Sequence, residues 1–186
     1  MGEYTKVGFS GLSIPGSLVM AANSEPRWYA VYTCANHERR VAAHLTIRGI
    51  EHFLPQYETV RRWKDRKVRL QLPLFPGYVF VHLALQDRLG VLQVPGVARF
   101  VGFDSYAVPI PEEDLTRVRE FLHRGFRAEP HRFLRVGRKV RVVRGPLEGM
   151  EGVILRRKNR SRLVISFELI QRAMAVEIGD AELQPV

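Results

Sequence analysis

Cysteine is almost absent from this chain of 186 residues. The single Cys34 excludes an internal disulfide and any cysteine-built zinc site, and it suits a reducing, cytoplasmic setting. No apolar run approaches the roughly 20 residues that cross a bilayer, so no membrane partner is expected. Acidic residues are scarce beside basic ones, 19 against 29. The net charge of +10 and a pI near 10.3 favour polyanions or acidic proteins as partners. Signatures of catalysis are also missing. There is no phosphate-cradling glycine loop, no HExxH and no serine in a nucleophile elbow. His37 and His44 lie about two helical turns apart without a third ligand, so they read as helix-surface histidines. Cys34 reads as packed at a strand end rather than as a thiolate. Glu112, Glu113 and Asp114 fall where a helix dipole favours acids. A non-enzyme without cofactor or metal is expected.

What the chain does have is concentrated in residues 74–83, LFPGYVFVHL. A Pro76-Gly77 turn runs into six residues of high strand preference. Tyr78, Phe80 and His82 point one way and Val79, Val81 and Leu83 the other. Both faces are apolar or aromatic, so both need covering. Residues 28–33, WYAVYT, form a strand of matching parity that puts Trp28, Ala30 and Tyr32 on one side. If the two strands are neighbours, Tyr32, Tyr78 and Phe80 make one aromatic patch. Such a patch marks a protein interface, or else helices of the same domain cover it.

The rest of the chain predicts an α+β fold. Residues 1–26 read as a disordered leader, because Pro15, Gly16 and Ser17 interrupt its mild apolar stretch and make a poor signal peptide. Met20 stands as an alternative start, with order expected from Trp28. Residues 27–123 predict a mostly antiparallel sheet with flanking helices. One helix covers about 36–48 with Asn36 as N-cap and Gly49 at its end, and one follows Pro111 with Leu115, Val118 and Leu122 as its buried stripe. A strand at 53–60 pairs back with 68–72 as a hairpin, and a short helix at 86–92 precedes a strand at 98–102. Residues 124–135 form a basic linker. Residues 136–186 hold short β-rich runs at 139–143, 150–155, 163–167 and 175–178, which suggest a small β-barrel.

Basic side chains cluster twice. Arg61, Arg62, Lys64, Arg66, Lys67 and Arg69 crowd the predicted hairpin with Trp63 among them. Such a tip can follow a phosphate backbone and stack a base, or simply protect an exposed strand edge. Arg156, Arg157, Lys158, Arg160 and Arg162 form a second loop. Phosphate contacts position a protein without reading sequence.

The segments WYAVYT, FLP, LFPGYVFV and VPGVARFVG, in this order, resemble the N-terminal domain of NusG-type transcription elongation factors. The stretch 136–153, VGRKVRVVRGPLEGMEGV, resembles the KOW motif. The resemblance spans residues 28–186. It implies an α/β domain followed by an SH3-like KOW barrel, joined by a linker. It implies binding to the clamp helices of RNA polymerase, with Tyr32, Phe75, Pro76, Tyr78 and Phe80 on that surface, suppression of pausing, and antitermination. The barrel of the family recruits other factors, a ribosomal protein and Rho among them. Here Ile170 and Gln171 replace a Phe-Gly pair, and Met174-Ala175 replace a Thr-Pro pair of housekeeping members, so Rho is not an expected partner. Ile170, Gln171, Arg172 and Met174 are the partner-binding candidates. The LIQR segment is more similar to specialised paralogues that act on long polysaccharide operons. By the same resemblance, His37, Arg40 and His44 are candidates for touching non-template DNA; the basic composition of the hairpin separately places it close to DNA or nascent RNA. A monomer is expected. An alternative reading is an RNA-binding or ribosome-associated KOW protein that works through its basic loops.

Overall fold

The computed structural model describes residues 24–62, 66–103, 106–131, 137, 139–157, 160–177 and 183–186. Most of the expected leader therefore lies outside the described residues, as do Trp63 and Lys64. The side chains of Arg156, Arg157, Lys158 and Arg160 lie outside them too.

Among the described residues the N-terminal half carries nine strands: β1 (Arg27–Thr33), β2 (Glu51–Phe53), β3 (Gln56–Arg62), β4 (Lys67–Pro73), β5 (Tyr78–Leu83), β6 (Val97–Phe100), β7 (Gly102–Phe103), β8 (Tyr106–Ala107) and β9 (Pro109–Ile110). Its helices are α1 (Glu38–Ile47), α2 (Arg88–Leu92) and α3 (Glu112–His123). The main sheet runs β2-β5-β1-β6, with β9 also on β1, and all its pairings are antiparallel. Its two faces have separate covers. Tyr29, Val31, Val79, Val81 and Leu83 pack with Val41 and Leu45 of α1 and with Val91 and Val94. Burying each such side chain is worth about 1.5–3 kcal/mol. The opposite face carries Trp28, Ala30 and Phe80 and meets Leu115, Val118 and Phe121 of α3. The buried stripe of α3 thus ends on Phe121 rather than on the expected Leu122, which is only partly buried.

Local chemistry explains the other differences. Asn36 is not the cap of α1. It takes a left-handed φ of 61°, which Asn tolerates, and the turn closes by His37 N–H donating to the Cys34 carbonyl at 3.1 Å. Cys34 is exposed, not packed, although its N–H is held by the Gly96 carbonyl at 2.8 Å. The expected strand at 53–60 is split at Leu54-Pro55. Pro55 has no N–H to give to a ladder, so β2 stays on β5 while β3 leaves to pair with β4 alone.

The described residues of the C-terminal half form one six-stranded antiparallel sheet. It is formed by β10 (Ala128–His131), β11 (Lys139–Val142), β12 (Glu151–Arg157), β13 (Arg160–Phe167), β14 (Arg172–Glu177) and β15 (Leu183–Pro185), in the order β10-β14-β13-β12-β11-β15. Val140, Val142, Leu163, Ile165, Met174 and Val176 belong to its buried interior. The expected irregular linker supplies a strand. β10 pairs with β14 from Ala128↔Val176 to His131↔Ala173. β14 is buried from Ala173 to Val176, so its backbone edge needs a partner, and the linker provides one. No helix among the described residues is long and apolar enough to cross a membrane.

Candidate functional site

β1 and β5 are neighbours, and the register pairs Trp28 with His82, Ala30 with Phe80 and Tyr32 with Tyr78. Parity and pairing together therefore assemble the aromatic face. At the Trp28 end, the Trp28 ring stacks on His82 at 5.0 Å, and His82 Nδ1 lies 2.8 Å from Glu51 Oε2. Arg119 of α3 sets its guanidinium 5.2 Å from the Trp28 ring centre and 4.9 Å from that of Phe53. That end is closed by the half's own helix.

The other end is built on the Pro76-Gly77 turn. Gly77 has a φ of 86°, and a Cβ there would lie 3.2 Å from the Tyr32 ring. Only glycine fits without strain. The turn is tied on several sides. Thr33 N–H donates to the Gly77 carbonyl at 2.9 Å, and Tyr78 N–H to the Phe75 carbonyl at 3.1 Å. Gly77 N–H donates to Glu38 Oε1 at 2.6 Å. The Tyr32 and Tyr78 rings meet edge to face at 5.4 Å. Phe75 meets Phe80 the same way at 5.9 Å. Tyr32 is 38% exposed and Pro76 is exposed, whereas Phe75 and Phe80 are buried.

The cover at this end comes from the C-terminal half. Phe167, the last residue of β13, packs edge to face on Phe75 at 5.0 Å. The Arg172 guanidinium sits 5.4 Å from the Tyr78 ring centre. Arg99 similarly lies 5.7 Å from the Tyr32 ring. A cavity of about 380 Å³ lies along this seam, with Phe80, Ile110 and Asp114 on one side and Met150, Phe167 and Ile170 on the other. Burial pushes the Asp114 carboxyl above its usual range, and Arg117, 3.5 Å away, opposes that.

The segment expected to bind partners is therefore the segment that lies on the aromatic face. Ile170 and Met174 are buried. Gln171 is exposed with a left-handed φ of 50°, and its Nε2 donates to the Glu168 carbonyl at 2.6 Å. Among the described residues, the nucleic-acid candidates fall on two places, α1 with its entry turn and the β3-β4 hairpin. His37 is half-buried, with Nδ1 2.9 Å from the Ala35 carbonyl, His44 is half-buried, and Arg40 is exposed on α1. Arg61, Arg62, Arg66 and Lys67 are exposed at the far end of the β3-β4 hairpin.

Three contributors escape a reading of the sequence. Phe167 ends a strand whose neighbour across the seam is far away in the chain. Arg119 looks like an ordinary helix-surface arginine. Glu38 had one signal, an acid in the first turn of α1, and it is buried. Among the described residues no group of three or more His, Cys, Asp or Glu side chains is placed to hold a metal ion. The arrangement offers a surface for docking.

Known proteins share this plan. A family model described as transcription termination factor nusG matches residues 26–119. The transcription termination/antitermination protein NusG of Vibrio vulnificus is 29% identical over 179 residues, covering 89% of this chain and 98% of that protein. The protein of the same description from Escherichia coli K12 is 27% identical over 179 residues, covering 89% and 99%. A solved structure described as domain interaction in Thermotoga maritima NusG superposes with a TM-score of 0.55 at 22% identity, covering 88% of this chain and 99% of that one. It supports the fold, and the C-terminal sheet is compatible with a KOW domain. The chain belongs to the NusG family of transcription termination/antitermination factors.

Proposed function

We propose that this protein is a cytoplasmic, monomeric, non-enzymatic transcription factor that docks on the clamp helices of elongating RNA polymerase, suppresses pausing and promotes antitermination on particular long operons. The supporting observation is the aromatic surface at the Pro76-Gly77 end of the sheet. The N-terminal half's own helix α3 leaves it to the C-terminal half, through Phe167 on Phe75 and Arg172 over Tyr78. A face covered in part by a second sheet is one that a helical partner can take over when the halves separate. Tyr32, Pro76 and Tyr78 form its reachable rim, and Phe75 and Phe80 its floor. The exposed arginines of the β3-β4 hairpin and Arg40 on α1 would lie near the nucleic acid, where they add salt-dependent affinity.

Replacing Tyr32 and Tyr78 together by alanine is expected to weaken binding to core polymerase by about tenfold, since each removes an aromatic anchor at low cost to the core. Titration of the full chain against polymerase measures it. Unchanged affinity with an intact fold would remove the docking assignment, and salt-sensitive RNA binding without polymerase would replace it by the ribosome-associated reading.

The segment 168–174 argues against Rho as a partner of the C-terminal half, because Ile170 and Gln171 stand where housekeeping members carry Phe-Gly; a ribosomal protein stays a candidate. The expected result in a reconstituted termination assay is no stimulation of Rho. Stimulation equal to that given by a housekeeping factor would contradict it.

A further inference from the structure

We infer that Glu38 is a positioning residue of the docking face, acting through the Pro76-Gly77 turn; this rests on the docking reading above. Glu38 is 5% exposed. A carboxylate that far inside costs several kcal/mol unless donors satisfy it. Its Oε1 accepts the Gly77 N–H at 2.6 Å, a short charge-assisted bond. Its place in the first turn of α1 gives it the further support of the helix dipole.

What the bond holds is a conformation, not merely a contact. Gly77 sits at φ 86°, with the Tyr32 ring against it. Its carbonyl takes the Thr33 N–H at the end of β1. One residue before the turn begins stands Phe75, and one residue after it stands Tyr78. Glu38 therefore ties α1, on the aliphatic side of the sheet, to a turn that sets the relation of Phe75, Tyr78 and Tyr32 on the aromatic side. Buried as it is, Glu38 does not reach a docked protein. It works by keeping three rings in one arrangement before the partner arrives, which removes an ordering cost from binding.

Two substitutions separate this role from a general one. Glu38→Gln keeps the reach and an acceptor oxygen but loses the charge. Glu38→Asp keeps the charge but is one methylene too short for Gly77. If Glu38 only balanced the dipole of α1, Asp would serve and Gln would not. As a positioning residue it gives the reverse. Full-length chains carrying each change, with Tyr78→Ala beside them, are titrated against core polymerase, and their melting is followed in parallel. The expected result is an affinity about tenfold weaker for Glu38→Asp, chiefly through faster dissociation, and within about threefold of the parent for Glu38→Gln. The Gly77 amide proton gives a readout free of polymerase, with fast hydrogen exchange in the Asp variant and slow exchange in the parent and the Gln variant. Parent-like affinity in Glu38→Asp while Tyr78→Ala binds weakly would overturn this inference alone. Parent-like affinity in all three would overturn the docking reading with it. A weak Gln variant beside a parent-like Asp variant would assign Glu38 to the dipole.

Discussion

Replacing Phe80 by alanine is expected to cost about 3–5 kcal/mol of folding stability, the range for an aromatic core deletion. Phe80 is fully buried. Its ring lies 6.4 Å from Phe53 and 5.9 Å from Phe75, and its cross-strand neighbour Ala30 is too small to fill the space it would leave. The residue also belongs to the one apolar cluster that runs from α3 through the sheet into the C-terminal half. Domains of this size have about 5–15 kcal/mol in all, so such a loss takes a large share. Urea unfolding measures it as a lower midpoint at unchanged slope, and a shift worth under about 1 kcal/mol would show that the site collapses around the gap. The consequence reaches the functional tests. Lost polymerase binding in Phe80→Ala reports a damaged scaffold, whereas the exposed Tyr32 and the partly buried Tyr78 can be changed at a smaller cost.

The same residue shows why the aromatic face was legible. In a strand the side-chain period is two, so Tyr78, Phe80 and His82 must share a side, as must Trp28, Ala30 and Tyr32. The Pro76-Gly77 turn left only the question of which strands are neighbours, and the observed register answers it as expected. The buried faces of α1 and α3 were legible for a similar reason, since helical spacing marks Val41 and Leu45, and Leu115 and Val118. The failures share another cause. Asn36 carries the composition of a cap but spends it on a left-handed turn, because the Cys34 carbonyl and Gly96 fix the chain just before it. The pairing of β10 with β14 depends on an edge more than forty residues later, and nothing in residues 128–131 announces it. The candidate site was half legible. Its floor and rim follow from parity. Its lid, Phe167 and Arg172, follows only from how two sheets meet. The sequence marked Ile170, Gln171, Arg172 and Met174 for partners without indicating that Arg172 would lie over the Tyr78 ring.

Replacing Phe167 by alanine is expected to raise the apparent affinity for polymerase by roughly 30-fold. The ring is partly buried and packs edge to face on Phe75, so its removal costs the closed arrangement about 2 kcal/mol, part from apolar area and part from the aromatic pair. If only the open form binds, apparent affinity scales with the open fraction, and each factor gained in opening appears as the same factor in binding until the open form dominates. The opposite change is expected of a variant that cannot open, such as a chain cross-linked across the seam. Affinity of Phe167→Ala is read by titrating the full chain against core polymerase. An unchanged value would mean that the seam does not compete with the clamp, and a lower value would mean that Phe167 itself touches polymerase. Coupling of this kind is reciprocal. If the C-terminal half suppresses docking by occupying Phe75 and Tyr78, then docking must release Phe167, Ile170 and Arg172 by the same free energy. A second factor should therefore meet the C-terminal half more tightly on polymerase than in solution.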